Sequence, residues 1–364
     1  MSLLYDEGQQ AIATESRRVL EARVQTDQLL PLLERQGEFH RPFWDTAREQ
    51  GWTALALPEA YGGLELGLVE LGLIALQAGR SLSGAPFLTS SFGAARAILD
   101  FGDDALRGHW LPLLARGEAI GAIAFAEGQS PLPANPTVKF SGGKLLGVKD
   151  AVSAALHADV AVVLAMNDSG PVLAIASLKD VERIGFNTFD NSRCIADLAF
   201  NGAPATVIAQ GDAALDAAQH ILALQAVITA HEQTGGAEVL MERARDYANT
   251  RRAFGQTIGS FQSVKHRIAE IYGLVELARA GALHAATREG HADFLKAAAA
   301  ARIQATEAYD TAARDCVQVH GGIGVTWEAG LHLHMRRART LAMEQGNMLF
   351  WEDVLVNELA GENA

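Results

Sequence analysis

Between Gly121 and about Thr206 the chain carries short β-prone runs joined by connections that hold no helix, and this constrains its fold more than any other feature. AIAFAE (122–127), TVKF (137–140), LLGV (145–148), DVAVVLAM (159–166) and PVLAIASL (171–178) are the clearest of these runs. SGGK (141–144) sets two adjacent glycines between two of them, a hairpin signal. Parallel neighbours need a crossover of about a dozen residues or more, usually a helix. Spacing this short therefore predicts an antiparallel sheet or barrel.

On either side the period changes to that of helices. Gln9–Val24 is rich in helix formers, and Arg41–Gly51 has helical apolar spacing closed by glycine. LPEAYGGLE (57–65) reads as a Pro/Gly loop. Leu68–Arg80 is amphipathic, and Leu106–Arg116 places Trp110, Leu113 and Leu114 on one stripe. After Asp212 come long Ala-rich segments, Asp212–Thr250, Ser263–Glu289 and Ala292–His320, with a shorter fourth at Met335–Leu359. Four such segments predict an antiparallel bundle, and their Ala-rich faces predict close helix packing and an oligomer surface. The expected fold is α+β and multi-domain. It has a helical N-terminal domain over residues 1–120, an antiparallel β-barrel over 121–208 and a four-helix bundle over 209–364.

Composition removes several function classes. A net charge of −13 argues against nucleic acid or an anionic membrane surface as partner. No apolar run approaches the roughly 18 residues of a membrane helix. The N-terminal MSLLYDEGQQ has acids where a signal peptide would be basic and then apolar. With only Cys194 and Cys316 there is no disulfide framework and no CxxC pair, so no metal site is expected. These features predict a cytoplasmic, reduced protein.

Four separated strings narrow the reading. They are GWTALALPEAYGG (51–63), GDDALRGHWLPLLARGEAIGAIAFAEG (102–128), YANTRRAFGQTIGSFQSVKHRIAEI (247–271) and CVQVHGGIGVTWE (316–328). Together they resemble the acyl-CoA dehydrogenase family along essentially the whole chain, in the family's order and spacing. The resemblance implies FAD as cofactor and an acyl-CoA as substrate. It also implies loss of the α-proton to a carboxylate and of the β-hydride to flavin N5, giving a trans-2-enoyl-CoA. Such chemistry needs a polarised thioester carbonyl, a placed base and exclusion of water. By the same resemblance, Arg251 and Phe254 reach the neighbouring subunit's FAD, the guanidinium against the pyrophosphate and the ring against the dinucleotide. Gln262 is a further contact. Gln318, Gly321 and Gly322 lie against the adenosine end, where backbone must come close. His320 is expected to pack beside those glycines.

The chain also departs from the family pattern. Ala126 stands where a threonine hydrogen-bonds the flavin, and has no side-chain donor. Ala151 replaces the tryptophan of the strand that walls the flavin, and only Ser153 keeps a hydroxyl. GQSPLPANP (128–136) stands for the glycine-rich continuation, and Glu127 and Glu328 are expected to be structural. The common base position falls on Gln345, an amide, with Glu344, a lesser candidate base, one residue away and so about 100° around a helix. A second branch of the family keeps its base at the position of Gln225, another amide. Glu232, seven residues further along the same stripe, is the candidate base. Its surroundings, ITAHEQTGGAE (228–238), resemble a subgroup acting on steroid and other bulky acyl chains, many of them α2β2 heterotetramers. Gly346 and Asn347 match a Gly-Thr pair that touches the cofactor.

Two functional readings follow. The chain is an acyl-CoA dehydrogenase for a bulky acyl group using Glu232, or a half-site subunit whose Arg251, Phe254 and Gln318 complete a partner's FAD site. A third keeps the fold with a flavin monooxygenase or nitroalkane oxidase reaction. No residue specifically supports it, and the oxidase would want an aspartate at Gln345. The resemblance further implies a homo- or hetero-oligomer built as a dimer of dimers, and electron-transferring flavoprotein as electron acceptor.

Overall fold

The computed structural model describes residues 5–33 and 35–361. Packing groups the chain into two compact units that do not follow chain order. One comprises Pro31–Leu71 and Gly84–Gln225. The other takes the described residues of Met1–Leu30, Gly72–Ser83 and Ala226–Ala364.

The first unit is built on a β-barrel with strands β1 (Gly121–Ala124), β2 (Lys139–Ser141), β3 (Lys144–Val152), β4 (Val160–Asn167), β5 (Gly170–Ser177), β6 (Glu182–Gly185) and β7 (Ala196–Gln210). The pairings β4–β2, β2–β3, β3–β7, β7–β5 and β5–β4 close a ring. Closure abolishes the ring's open edges. The hairpin at SGGK forms as expected, because Gly142 and Gly143 both take positive φ, 57° and 76°. The all-antiparallel expectation needs correction. β1 pairs parallel with β4, Gly121 opposite Val160, and β2 touches β4 in parallel at Lys139–Met166. A hairpin, β2–β3, serves as the crossover in place of a helix. β7, the longest strand, carries no clean alternation because Gly202 and Pro204 interrupt it. DVAVVLAM reads as a continuous apolar run because β4 is buried on both faces. Ala161, Val163 and Ala165 fill the barrel core, while Val160, Val162 and Leu164 are buried as well.

Helices α1 (Glu7–Arg23), α2 (Thr26–Leu29), α3 (Arg41–Glu49), α4 (Leu68–Arg80), α5 (Phe92–Phe101) and α6 (Asp104–Ala115) precede the barrel. On α6 the buried face is Leu111, Leu114 and Ala115. Trp110 and Leu113, expected on the buried stripe, are only half-buried. Both stripes have helical spacing, and the position of the core chooses between them.

Helix α7 (Asp212–Thr250) runs 39 residues and is followed by α8 (Gln262–Thr287), α9 (Phe294–His320), α10 (Leu331–Leu341) and α11 (Met348–Gly361). Between Ile221 and Ala237 every residue of α7 is buried, the polar Gln225, His231, Glu232 and Gln233 included, so each of these must find a partner inside the fold. Contrary to the expectation that no apolar run approaches this length, one 18-residue window of α7 is apolar enough by length and composition to cross a membrane, with mean hydropathy 1.3. That window is 72% buried within the chain, the pattern of a core helix. The fourth bundle segment is not one helix. It breaks between α10 and α11, where Gln345 and Gly346 take φ of 55° and 105°.

Candidate functional site

Six of the residues matched to FAD contacts gather at one end of the bundle unit. Tyr247 on α7 stacks on His320 of α9 with ring centroids 4.2 Å apart, so the C-terminal ends of these helices lie together. Past Thr250 the chain turns through a two-residue hairpin, β8 (Arg252–Ala253) and β9 (Gln256–Thr257). Phe254 and Gly255 occupy the turn with φ of 51° and 81°. A left-handed phenylalanine costs about 1–2 kcal/mol, yet its ring is 96% exposed, set edge-on to Phe261 with centroids 6.2 Å apart. Arg251 and Gln262 flank the hairpin, both exposed. Gln318 is exposed on the last turn of α9, and Gly321 follows with φ of 61°. A Cβ on Gly321 or Gly322 would meet nothing within 4 Å. This end thus offers a cation, an amide, a bare aromatic ring and open backbone, the donor set that a dinucleotide pyrophosphate and its adenosine end require.

Gly346 and Asn347 are not part of that cluster. They lie by the α10–α11 break, which meets α7 at Thr229, about 30 Å along α7 from its C-terminus. Both have local structural work. Asn347 Oδ1 accepts from Phe350 N at 3.0 Å and caps α11. A Cβ on Gly346 would stand 2.4 Å from Phe350 Cδ1.

In the barrel unit, Ala126 is half-buried and Ala151 exposed, the latter with φ of 50° and its N–H given to Asp197 Oδ1 at 2.8 Å. Ser153 follows, half-buried. Glu127 has a structural post. It accepts from Lys149 Nζ at 2.6 Å and from the N–H groups of Thr137 and Val138 at 2.6 and 3.1 Å. Burial pushes its carboxyl up, but these bonds outweigh that and leave it below the usual range. Lys149 is fully buried and also donates to Phe125 O at 2.9 Å. Burial drags its ammonium down to about 8 against the pull of Glu127.

The two candidate bases fare differently. Glu232 is 0% exposed, and its Oε1 accepts from Arg337 Nη1 at 3.0 Å. The same guanidinium donates to the carbonyls of Ser83 and Leu82 at 2.8 and 2.9 Å. Helix α4 lies directly over this stretch of α7. A Cβ on Gly79 would come 1.8 Å from Glu232 O, one on Gly235 1.8 Å from Leu76 O, and one on Gly72 2.7 Å from His231. The small residues around Glu232 are where two helices touch. Burial pushes His231 down to about 4. The geometry sets Glu232 in a clamp with Arg337 and the end of α4.

Glu344 is buried to 8% exposure in the turn between α10 and α11. The separation of 100° from Gln345 presumed a helix, and there is none at that place. Gln345 accepts from Thr229 Oγ1 at 3.1 Å and its Nε2 lies 3.5 Å from Glu344 Oε2, so amide and carboxylate sit side by side. Arg302 holds the turn open. Buried at 1% exposure, it donates to the carbonyls of Leu341 and Glu344 and to Gln233 Oε1 at 2.6 Å. Burial pushes Arg302 down to about 10, with Glu344 and Glu232 pulling the other way. Its role as a cap on α10 leaves no trace in local sequence. Gln225, the other base position, is buried under α5, where a Cβ on Gly93 would stand 2.8 Å from its Nε2. Among the described residues no group of three or more His, Cys, Asp or Glu side chains converges at metal-binding distance.

Comparison with known proteins completes the picture. The family model "Acyl-CoA dehydrogenase, N-terminal domain" matches residues 6–118, and "Acyl-CoA dehydrogenase, C-terminal domain" matches residues 215–348. Acyl-CoA dehydrogenase IpdE2 of Mycobacterium tuberculosis is 30% identical over 301 residues, which are 82% of this chain and 81% of IpdE2. Acyl-CoA dehydrogenase FadE34 of the same organism is 31% identical over 85% of this chain, and the chain spans 41% of FadE34's length. Among solved structures, the ChsE4-ChsE5 complex from Mycobacterium tuberculosis superposes with a TM-score of 0.89 at 26% identity, covering 99% of each chain.

Proposed function

This chain belongs to the acyl-CoA dehydrogenase family of FAD-dependent oxidoreductases, and from that premise we propose that it works as one subunit of a heteromeric acyl-CoA dehydrogenase. The partner chain supplies the base, and this chain completes the partner's FAD site. One observation carries the reading. Both family base positions are amides, Gln225 and Gln345, and the carboxylate between them in role, Glu232, is engaged by Arg337 under helix α4. The exposed ring of Phe254, beside Arg251, Gln318 and the open glycines, supports the second half of the proposal. FAD, when bound, supplies the hydride acceptor. This chain's part is to neutralise pyrophosphate charge through Arg251 and to pack Phe254 on the dinucleotide. The assembly's reaction is α,β-dehydrogenation of a bulky acyl-CoA. ChsE4-ChsE5, by its name a complex of two components, supports the heteromeric form.

Expression alone and with its genomic neighbours, followed by flavin analysis, tests this. The chain alone is expected to be colourless, and the complex to carry about one FAD for every two chains. A lone chain that is stably yellow and bleached by acyl-CoA overturns it. In that outcome Glu344, beside Gln345, becomes the base, and Glu344→Gln removes bleaching while FAD stays bound. We further infer electron-transferring flavoprotein as acceptor, tested by coupled reduction, and a cytoplasmic location, tested by fractionation. Two buried free thiols, both pushed up to about 12 by burial, fit a reducing compartment.

A further inference from the structure

The bundle unit contains a cavity of about 220 Å³ that none of the roles above uses. It opens between α1, α4, α7 and α10. Its apolar wall includes Leu20, Val24 and Val239, and its polar groups include Gln77, Arg243 and His334.

Two of the polar groups each bury an atom that has no hydrogen-bond partner. His334 is 1% exposed, with Nδ1 2.9 Å from Tyr309 Oη, and its Nε2 is buried without a hydrogen-bond partner. Gln77 is 8% exposed, and its Oε1 is likewise buried and unpartnered. Groups of this kind are rare in native proteins and ask for a ligand or an ordered water. The other charges on the wall are committed. Arg17 pairs with Glu21 at 2.8 Å, and Arg80 pairs with Glu238 and Glu242 at 2.9 and 2.6 Å. Arg243 makes no ion pair among the described residues. Burial, with the guanidiniums of Arg243, Arg337 and Arg80, holds His334 neutral. In the tautomer whose Nδ1 accepts from the Tyr309 hydroxyl, Nε2 carries the hydrogen and is a donor facing the cavity, and this is the tautomer an anionic ligand selects.

We propose that this cavity binds a carboxylic acid of about ten heavy atoms in all, its carboxylate held by Arg243 and His334 Nε2–H and its apolar body against Leu20, Val24 and Val239. The size follows from the space, since a cavity of about 150 Å³ holds benzene. One neutral donor and one cation, with apolar side chains around them, match a single carboxylate on a hydrocarbon. Gln77 Oε1 then takes a hydroxyl of the ligand or one water.

Calorimetric titration of the purified protein, alone or in its complex, with octanoate and with octan-1-ol tests the proposal. Octanoate is expected to bind with a Kd of about 1 mM or tighter, and octan-1-ol to give no saturable heat. Arg243→Gln is expected to weaken octanoate about tenfold or more, and Val239→Trp to fill the space and abolish binding. No saturable heat with octanoate to about 10 mM overturns the proposal, and shows the cavity to hold water only. Equal affinity in Arg243→Gln, or equal binding of the alcohol, overturns it as well. Should Val239→Trp not fold, the Arg243→Gln titration decides alone.

Discussion

Removing one side of the Glu232–Arg337 clamp is the sharpest test of the bundle's design. Arg337 makes three charge-assisted bonds, to Glu232 and to the carbonyls of Leu82 and Ser83, and both ion-pair partners are buried. Breaking a buried pair from one side costs about 3–5 kcal/mol, because the remaining charge is left uncompensated. Arg337→Met should therefore lower stability by about 4 kcal/mol. At about 2.1 cal/mol/K per residue, 364 residues give an unfolding entropy near 0.8 kcal/mol/K, so Tm falls by about 5 °C. Glu232→Leu should cost a similar amount. The double variant should lose clearly less than the sum of the two, since replacing both charges with apolar groups is often nearly neutral. The carbonyls of Leu82 and Ser83, just past the end of α4, are left without the guanidinium. Scanning calorimetry of the four proteins closes the cycle. Strict additivity would refute the clamp. So would a Glu232→Gln variant that melts like wild type yet abolishes acyl-CoA-driven flavin bleaching in the assembled enzyme, since that is the signature of a base.

Four other outcomes follow from the same geometry. Phe254→Ala should leave Tm within about 1 °C, as an exposed side chain does, while co-purified flavin in the complex falls. Gly79→Ala puts a methyl 1.8 Å from Glu232 O and should lower soluble yield and Tm by forcing α4 off α7. Gln345→Glu sets a second carboxylate beside Glu344, so its Tm deficit against wild type should shrink as pH falls from 7 to 4 and one carboxyl takes a proton. Lys149 loses its proton near 8 in the fold but at its ordinary value of 10.5 when unfolded, so between these pH values the unfolded state binds more protons and this group makes stability rise with pH. Lys149→Met should remove that rise in a pH series of melts.

Much of the architecture is legible along the chain. The switch from period 3.6 to short β-prone runs and back marks helices, barrel and bundle, because each period reports only on which face of a local element is buried. SGGK specifies its hairpin because two adjacent positions need positive φ. RRAFG and GGIG are legible for the same local reason, since a tight turn and an open backbone are properties of a few consecutive residues. The parallel β1–β4 pair, the broken fourth helix and the role of Glu232 are not. Each depends on partners far apart in sequence. β4 pairs with β1 across a hairpin, Arg302 reaches carbonyls 39 and 42 residues away, and Arg337 is 105 residues from Glu232. A carboxylate's chemistry is set by what faces it, and at Glu232 what faces it is a guanidinium and a crossing helix that only the tertiary fold brings there.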